Sequence, residues 1–196
     1  MKLILASSSP RRRVLLQRLN VPFDIIVPDI DESNIIAGIT ADDYCISLAD
    51  KKASKVSHEH PNALVIGADT IVILGDDILG KPKDHEHSLK MLTILSGKTH
   101  QVITGVCLKW TDKTIHHLFM EKTLVTFRKL DPEDIAYYIE HCPPFDKAGS
   151  YGIQDWSAIF VDKINGCYDN VVGLPVSKIY KELKKLDINL LDTISE

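Results

Sequence analysis

The stretch ALVIGADTIVIL, residues 63–74, is almost continuously apolar and rich in β-branched side chains. Such a run predicts a central strand that is buried on both faces. Asp69 interrupts it, and an ionised carboxylate in a buried strand is costly unless it is paired, binds a metal or faces solvent in a cleft. It could be a structural carboxylate bonded to a neighbouring turn, or a metal ligand or general base at the floor of a groove. We favour the second interpretation.

Outward from this strand, hydrophobic periodicity predicts a mixed α/β or α+β fold. The turn GDD at 75–77 predicts a short hairpin directly after the strand. We expect helices at 10–19, 41–57, 85–95, 132–141 and 175–186, and strands at 2–6, 23–27, 63–74, 99–110, 114–127 and 157–164.

Cap residues and apolar stripes sharpen these predictions. Thr40, Asp84 and Asp131 are expected N-caps, and Gly97 is expected to end the third helix. The first helix is expected to bury a stripe made of Val14, Leu15 and Leu19. We expect a single domain over residues 1–196, with a tail after about residue 186 that frays.

The segment LASSSPRRR, residues 5–13, predicts an anion-binding corner. An apolar strand stops at three serines, Pro10 falls at the first helical position, and three arginines follow. Guanidinium groups at a helix N-terminus suit a polyphosphate. Arg13 is expected on the solvent-exposed face of the helix.

Two loop lysines have small neighbours that let a substrate approach the backbone. They are Lys81 in GKP and Lys147 in DKAG. A lone loop lysine is usually only a solvated charge, but the arginine turn and Asp69 make a phosphate-binding role the better hypothesis. Glu32, in the acidic loop after the second strand, could be a second carboxylate near a metal, whereas Lys52 is ambiguous from sequence alone.

Composition excludes several classes of function. The 196 residues are 44% hydrophobic, and the net charge is −4, which disfavours a broad nucleic-acid surface. No run approaches the roughly 20 apolar residues that a membrane span needs. Four scattered cysteines without a CxxC pair fit a reducing cytoplasm better than a disulfide framework. The N-terminus lacks the pattern of a signal peptide.

Other motifs are discounted. The HEH strings at 58–60 and 85–87 fall at helix ends, where side chains two residues apart diverge. His116 and His117 on the 114–127 strand carry no evident signal. No P-loop or dinucleotide-binding glycine motif is present.

Five motifs, in order, resemble those of the Maf family of nucleoside triphosphate pyrophosphatases. The motifs span residues 3 to about 186 and are LASSSPRR (5–12), DIDES (29–33), GADTIV with GKP (67–82), LSGKTHQVITGV (95–106), and KAGSYGIQ with INGCYDNVVGLP (147–175). The resemblance implies a two-lobed mixed-sheet fold of the Maf/ITPase type, with the substrate in a cleft between the lobes. It also implies hydrolysis of a nucleoside triphosphate to the monophosphate and pyrophosphate, with Mg²⁺ or Mn²⁺.

The resemblance assigns roles to individual residues. Asp69 becomes the proton acceptor that activates water for attack at the α-phosphorus, and Glu32 and Asp69 become candidate metal ligands. The positions associated with the triphosphate are Ser7, Arg11, Arg12, Lys52, Lys81 and Lys147. The branch acting on dTTP and UTP is expected to carry Arg12, Thr70 and Gln154, and all three are present. An amide such as Gln154 could read a pyrimidine edge.

Two other functions are alternatives to an enzymatic one. The family has also been linked to septum formation and cell-division arrest, so the chain could be a nucleotide-binding regulator with incidental hydrolysis. Binding of single-stranded nucleic acid is disfavoured, because no aromatic stacking stripe is present. We therefore expect a cytoplasmic enzyme with a pyrimidine nucleoside triphosphate as substrate, no nucleic-acid or membrane partner, and a homodimer as a plausible assembly.

Overall fold

The structure is a computed structural model that describes residues 1–30 and 38–193. Within these residues the chain forms six α-helices and one seven-stranded mixed sheet. The strands are β1 (Leu3–Ala6), β2 (Asp24–Ile26), β3 (Leu64–Leu74), β4 (Asp77–Leu79), β5 (Thr99–Trp110), β6 (Ile115–Phe127) and β7 (Val161–Asn165). The helices are α1 (Pro10–Gln17), α2 (Ala41–Glu59), α3 (His85–Leu95), α4 (Pro132–His141), α5 (Tyr168–Val172) and α6 (Val176–Lys185).

The sheet has the strand order β2-β1-β3-β5-β6-β7, and β4 pairs with β3 as an antiparallel hairpin. β1 is parallel to both β2 and β3, whereas β6 and β7 are antiparallel. The central strand predicted at 63–74 is confirmed, since the first six residues of β3 are all buried. The mixed α/β class is therefore confirmed.

The chain divides into two compact units that alternate along the sequence. Unit 1 contains Met1–Asp69, Thr104–Glu121 and Gly173–Glu196, and unit 2 contains Thr70–Ile103 and Lys122–Val172. β3, β5 and β6 each run from one unit into the other. Asp69 and Thr70 are therefore neighbours in sequence that belong to different units.

The core of unit 1 is built from small side chains. α2 presents Ala49, Ala53 and Val56 to an apolar cluster that includes Ile4 and Val65. Small residues let a helix approach a sheet closely, and this closeness positions the α2 side chains discussed below.

The core of unit 2 is aromatic. Phe127, Tyr138, Tyr151 and Phe160 are buried with Leu92 and Leu95 of α3. Phe127 makes an edge-on contact with Tyr151 at a centroid distance of 4.8 Å. Edge-to-face pairs add to the free energy gained by burial of the rings.

Several local predictions are confirmed by the cap geometry. The Thr40 side chain accepts a hydrogen bond from the Asp43 N–H, and Asp84 accepts one from the His87 N–H. The HEH strings lie at the end of α2 and the start of α3, as expected. Arg13 is exposed, also as expected.

The prediction for Val14 is wrong. Val14 is 51% exposed, and Leu15 and Leu16 form the buried stripe of α1 instead. The prediction for Asp131 is confirmed, since it is the N-cap residue of α4, although its side chain makes no capping bond and lies 3.9 Å from Arg128.

The strand predicted at 157–164 is also wrong in its first half, because the Asp155 side chain caps a 3-10 helix at Trp156–Phe160 and β7 begins only at Val161. α5 was not predicted. Among the described residues, no helix has the length and hydropathy required to span a bilayer.

Candidate active site

The carboxyl end of β1, which β3 continues past, marks a topological switch point in unit 1. Ala6 is paired with Ile26 on one side and with Gly67 on the other, so the chain leaves β1 in one direction and returns on its opposite side. Open α/β sheets bind ligands outside the carboxyl ends of strands at such points. Ser7 follows Ala6 directly, and Asp69 lies two residues beyond Gly67, which places both at this edge.

The serine turn is held by its own hydroxyl groups. The Ser7 Oγ accepts a hydrogen bond of 3.1 Å from the Ser9 N–H, and the Ser9 Oγ caps α1 by accepting one from the Arg12 N–H. Pro10 occupies the start of the helix, where its missing N–H costs nothing. The turn therefore presents hydroxyl groups and a helix N-terminus at the switch point, which suits an anion.

Arg12 is fixed to two parts of unit 1. Its Nε donates to the Gly173 carbonyl oxygen at 2.9 Å, and its Nη1 donates to the Ser7 Oγ at 3.4 Å. Arg11 and Arg12 are both half-buried, whereas Arg13 is exposed. The structure thus brings Arg12 to the serine turn.

Lys52 and Asp69 form a buried ion pair. The Lys52 Nζ lies 2.6 Å from the Asp69 Oδ1, and the two residues are only 5% and 7% exposed. A charge pair with this contact offsets part of the cost of burying each group. Lys52, ambiguous in the sequence, is therefore the partner of the predicted base.

Two glycines let α2 approach the strands closely enough for this pair to form. A Cβ on Gly67 would lie 2.4 Å from the Ala49 carbonyl oxygen, and one on Gly105 would lie 2.8 Å from the Cys45 carbonyl oxygen. Neither distance is tolerated by real side chains. The glycine of GADTIV therefore has a packing role, which is to bring α2 against β3.

Cys45 lies among the charged groups of the site and was not singled out from the sequence. Its Sγ donates to the Asp69 carbonyl oxygen at 3.3 Å and accepts from the Gly105 N–H at 3.1 Å. Burial first, and then the Asp69 charge, raise the pKa of Cys45 to about 12, against the lowering influence of Gly105, Arg12 and Lys52. The thiol stays protonated and supports the backbone of Asp69. The signal for its burial in the sequence is the helical spacing of Cys45 with the apolar residues Leu48 and Ala49.

In unit 2, Lys147 is held by carboxylates. Its Nζ lies 3.0 Å from the Asp146 Oδ1 and 3.4 Å from the Asp155 Oδ2. A Cβ on Gly152 would lie 2.7 Å from Asp155 and 2.8 Å from the Lys147 Cε, so this glycine leaves room for the pair. Asp155 also caps the following 3-10 helix through Ser157, and nothing in its sequence pattern had singled it out.

The two lysine loops of unit 2 meet through their backbones. The Gly149 N–H donates to the Gly80 carbonyl oxygen at 3.0 Å, one residue before Lys81. Gly149 and Ser150 both have left-handed backbones, with φ of 67° and 64°. The Ser150 hydroxyl, buried, is bonded to that of Ser88 on α3. Lys81 is exposed.

The remaining predicted residues are more dispersed. Thr70 is half-buried and Gln154 is exposed, both in unit 2. Glu32 lies outside the described residues. The structure therefore brings together Ser7, Arg12, Lys52 and Asp69 in unit 1, and the loops of Lys81 and Lys147 in unit 2.

The donor set at Asp69 fits a hard divalent cation. Mg²⁺ is typically bound by one or two carboxylates together with substrate phosphates and water, and Asp69 is a carboxylate at the switch point. Its Oδ1 is engaged by Lys52.

A second group of metal-binding side chains lies elsewhere in unit 1. Asp50, Cys107 and His116 place their ligand atoms within 4.8 Å of one another. Burial would raise the pKa of Asp50, but hydrogen bonds from His116 and Ser54 outweigh it and lower that pKa. The cluster includes His116, which carries no evident signal in the sequence.

Comparison with known proteins shows which family the sequence matches. A sequence model described as "Maf-like protein" matches residues 2–186. The "dTTP/UTP pyrophosphatase" of Bacillus cytotoxicus is 50% identical over 186 residues, covering 95% of this chain and 96% of that protein. The protein of the same name from Bacillus mycoides is 48% identical with the same coverage.

Among solved structures, the Staphylococcus aureus Ham1 protein is similar to this chain. The identity is 14% and the TM-score is 0.49, with coverage of 94% of this chain and 99% of the other.

Proposed function

This chain belongs to the Maf-like protein family, and on that basis we propose that it is a nucleoside triphosphate pyrophosphatase acting on dTTP and UTP. The relatives that carry this name match it over nearly their full length. The observation that carries the proposal is the buried Lys52–Asp69 pair at the switch point of unit 1. A protein that only bound nucleotide would gain nothing from a carboxylate aimed at a polyanion.

In the proposed reaction Asp69 accepts a proton from water as the water oxygen attacks the α-phosphorus. The bond between that phosphorus and the α–β bridging oxygen breaks, and the bridging oxygen leaves with pyrophosphate. The products are the nucleoside monophosphate and pyrophosphate, so one water is consumed in each turnover. General-base assistance of this kind contributes about 10²–10⁴-fold to the rate.

The cationic side chains lower the barrier by neutralising charge. We assign Ser7, Arg11 and Arg12 to the phosphate groups because the serine turn and the start of α1 present donors together. We assign Lys81 and Lys147 to the same triphosphate. Lys52 has a different role, since its contact with Asp69 holds the carboxylate in one orientation. Fixed donors stabilise a leaving pyrophosphate without reorganisation during the step.

A divalent cation, Mg²⁺ or Mn²⁺, is part of the proposal. Asp69 would bind it, and Glu32 is the second proposed ligand. When bound, such an ion polarises the phosphoryl oxygens and screens the negative charge that repels the attacking water.

Substrate selection is assigned to Arg12, Thr70 and Gln154. Gln154 is exposed and carries both a donor and an acceptor, as the edge of a thymine or uracil requires. Arg12 contributes from the serine turn through its contacts with Ser7 and Gly173.

The test follows the oxygen atom. Purified protein with Mg²⁺ or Mn²⁺ is given dTTP, UTP, dATP and dGTP in ¹⁸O-labelled water, and the products are separated and weighed by mass spectrometry. The expected result is pyrophosphate release from the two pyrimidine nucleotides, with the label in the monophosphate.

Two outcomes would contradict the proposal. Label in pyrophosphate would place the attack on the β-phosphorus, and release of orthophosphate would mean cleavage of the γ-phosphate. Equal rates with the purine nucleotides would remove the specificity assignment while leaving the reaction intact.

We also propose that the chain acts as one domain, as a homodimer and in the cytoplasm. All four cysteines are free thiols, which agrees with a reducing compartment, and the family match runs through both units. Light scattering of the purified protein tests the dimer.

A further inference from the structure

Three elements of unit 1 converge on one carboxylate that the proposed reaction does not use. Asp50 comes from α2, Cys107 from β5 and His116 from β6. The Asp50 Oδ1 lies 2.9 Å from the His116 Nε2 and 3.6 Å from the Cys107 Sγ. The ligand atoms of the three side chains therefore lie close together around the Asp50 Oδ1.

These separations are close to those of a tetrahedral metal site. Zn²⁺ bonds of about 2.3 Å to sulfur and about 2.0 Å to nitrogen and oxygen give ligand separations of about 3.5 Å for S···O and about 3.3 Å for N···O. The observed S···O distance of 3.6 Å already agrees. The His116 ring must move outward by only a few tenths of an ångström, and its side chain is 46% exposed and can do so.

The donor types select the class of ion. A thiolate and an imidazole are soft or borderline ligands that favour Zn²⁺ or Co²⁺, whereas Mg²⁺ and Mn²⁺ prefer oxygen donors. This set is therefore unsuited to the cation that the proposed phosphoryl chemistry needs.

We propose that Asp50, Cys107 and His116 bind one thiophilic divalent cation of the Zn²⁺ class, at a site separate from Asp69. Cys107 binds as the thiolate, and its proton passes to solvent. Water fills the fourth position on the exposed side of His116. The ion ties α2 to the two consecutive strands β5 and β6, which follow it about 50 residues later in the sequence.

The neighbouring polar side chains, Lys109 and Ser54, are compatible with a cation at Asp50. Lys109 lies 3.9 Å from the Asp50 Oδ1, but its Nζ donates to the Ser54 Oγ at the shorter distance of 2.7 Å. Ser54 in turn donates to Asp50 at 2.9 Å. The ammonium thus has its own acceptor, and the cation neutralises the thiolate and carboxylate that gather beside it.

Successive side chains of β6 point to opposite faces of the sheet, and this supplies a matched control. His117, the next residue, lies 2.9 Å from Glu182 on α6 and takes no part in the cluster. Cys142, at the end of α4, is a control thiol because it is also free and is partly exposed.

The experiment uses Co²⁺ as a spectroscopic probe with the full-length protein. We expect one tetrahedral Co²⁺ per chain, seen as tetrahedral ligand-field bands and a thiolate-to-cobalt charge-transfer band that Zn²⁺ displaces. Cys107→Ser should abolish the charge-transfer band, and His116→Gln should weaken binding by at least roughly tenfold. His117→Gln and Cys142→Ser should leave the spectrum unchanged. Circular dichroism shows whether each variant is folded.

A second measurement does not depend on the variants. Zn²⁺ should raise the thermal unfolding midpoint of the wild-type protein in a concentration-dependent way, since it binds only the folded state. A charge-transfer band that survives in Cys107→Ser, or an octahedral cobalt spectrum without thiolate character, overturns the proposal. So does an unfolding midpoint that Zn²⁺ does not move.

Discussion

The ammonium of Lys52 and the carboxylate of Asp69, 17 residues apart in the sequence, meet at 2.6 Å inside unit 1. Removing either group takes away the opposite charge that the other, buried, group faces. The same contact therefore governs catalysis and stability, and the two effects can be separated by the choice of substitution.

Asp69→Asn tests the proton acceptor. The amide keeps the shape of the side chain but cannot accept the proton of the attacking water, so kcat should fall by about 10²–10⁴-fold. Binding of a non-hydrolysable dTTP analogue, measured by calorimetry, should remain. A variant that turns over at the wild-type rate would show that another group activates the water.

Lys52→Met tests the stability of the pair. Removing one member of a buried ion pair leaves an uncompensated charge, and the free energy of unfolding should fall by about 3–5 kcal/mol in urea denaturation. Lys55→Met is the matched control, because Lys55 lies on the same helix, has a side chain that is 51% exposed and pairs with Glu59 on the surface. It should change stability by less than about 0.5 kcal/mol. Equal effects would contradict the assigned role of burial.

Gly67→Ala tests the close approach of α2 to β3. The added Cβ would meet the Ala49 carbonyl oxygen at 2.4 Å, which forces the helix that carries Lys52 away from the strand that carries Asp69. Both kcat and the free energy of unfolding should fall, the latter by roughly 1–3 kcal/mol. Gly80→Ala has open space around its Cβ and should leave stability nearly unchanged.

Arg12→Ala tests the arginine of the serine turn against its neighbour Arg13. Arg12 bridges Ser7 and Gly173, so its loss should raise the KM for dTTP by at least roughly tenfold, the cost of a charge-assisted hydrogen bond. Arg13→Ala removes the same charge from the exposed face of α1 and should change KM little. Equal increases would indicate a general electrostatic effect of net charge.

His100 gives unit 2 a predictable sensitivity to acid. The residue is 2% exposed, and burial lowers its pKa from an ordinary 6.5 to about 4. Between pH 6.5 and 4 the His100 ring is protonated in the unfolded chain but neutral in the folded protein. The free energy of unfolding is therefore unaffected above pH 6.5 and falls as the pH drops toward 4. The loss attributable to His100 should reach about 3 kcal/mol.

Urea denaturation at a series of pH values measures this loss. His100→Gln should flatten the pH dependence between 6.5 and 4, while the exposed His141 replaced by Gln should not. Parallel curves for wild type and His100→Gln would contradict the prediction.

Much of the fold followed from local chemistry. The apolar run of β3 and the caps Thr40 and Asp84 were correct because each depends on a few adjacent residues. The segment 157–164 was not, since Asp155 satisfies backbone groups of a 3-10 helix where the apolar pattern alone predicts a strand. Val14 is exposed because its neighbours Leu15 and Leu16 already fill the buried face of α1.

The candidate site divides in the same way. The serine turn and Asp69 stood out because polar residues interrupted apolar strands. The partner of Asp69 could not be found by spacing, because Lys52 reaches it only through the packing of α2 on Gly67. The cluster at Asp50 was hidden for the same reason, since its three members come from three elements. Pairings of this kind depend on tertiary structure and leave no periodic trace.

The alternation of the two units along the chain also sets an order of events during synthesis. Every segment of unit 2 has left the ribosome once Val172 has emerged, whereas unit 1 still lacks Gly173–Glu196 at that moment. Arg12 is translated near the beginning of synthesis. The Gly173 carbonyl oxygen, which accepts the hydrogen bond from the Arg12 Nε, is translated near the end. The nascent chain must therefore keep its serine turn incomplete for most of translation. A chain that ends at Val172 and is held on the ribosome by a linker that fills the exit tunnel should show a protease-resistant unit 2, whereas its unit 1 is still digested.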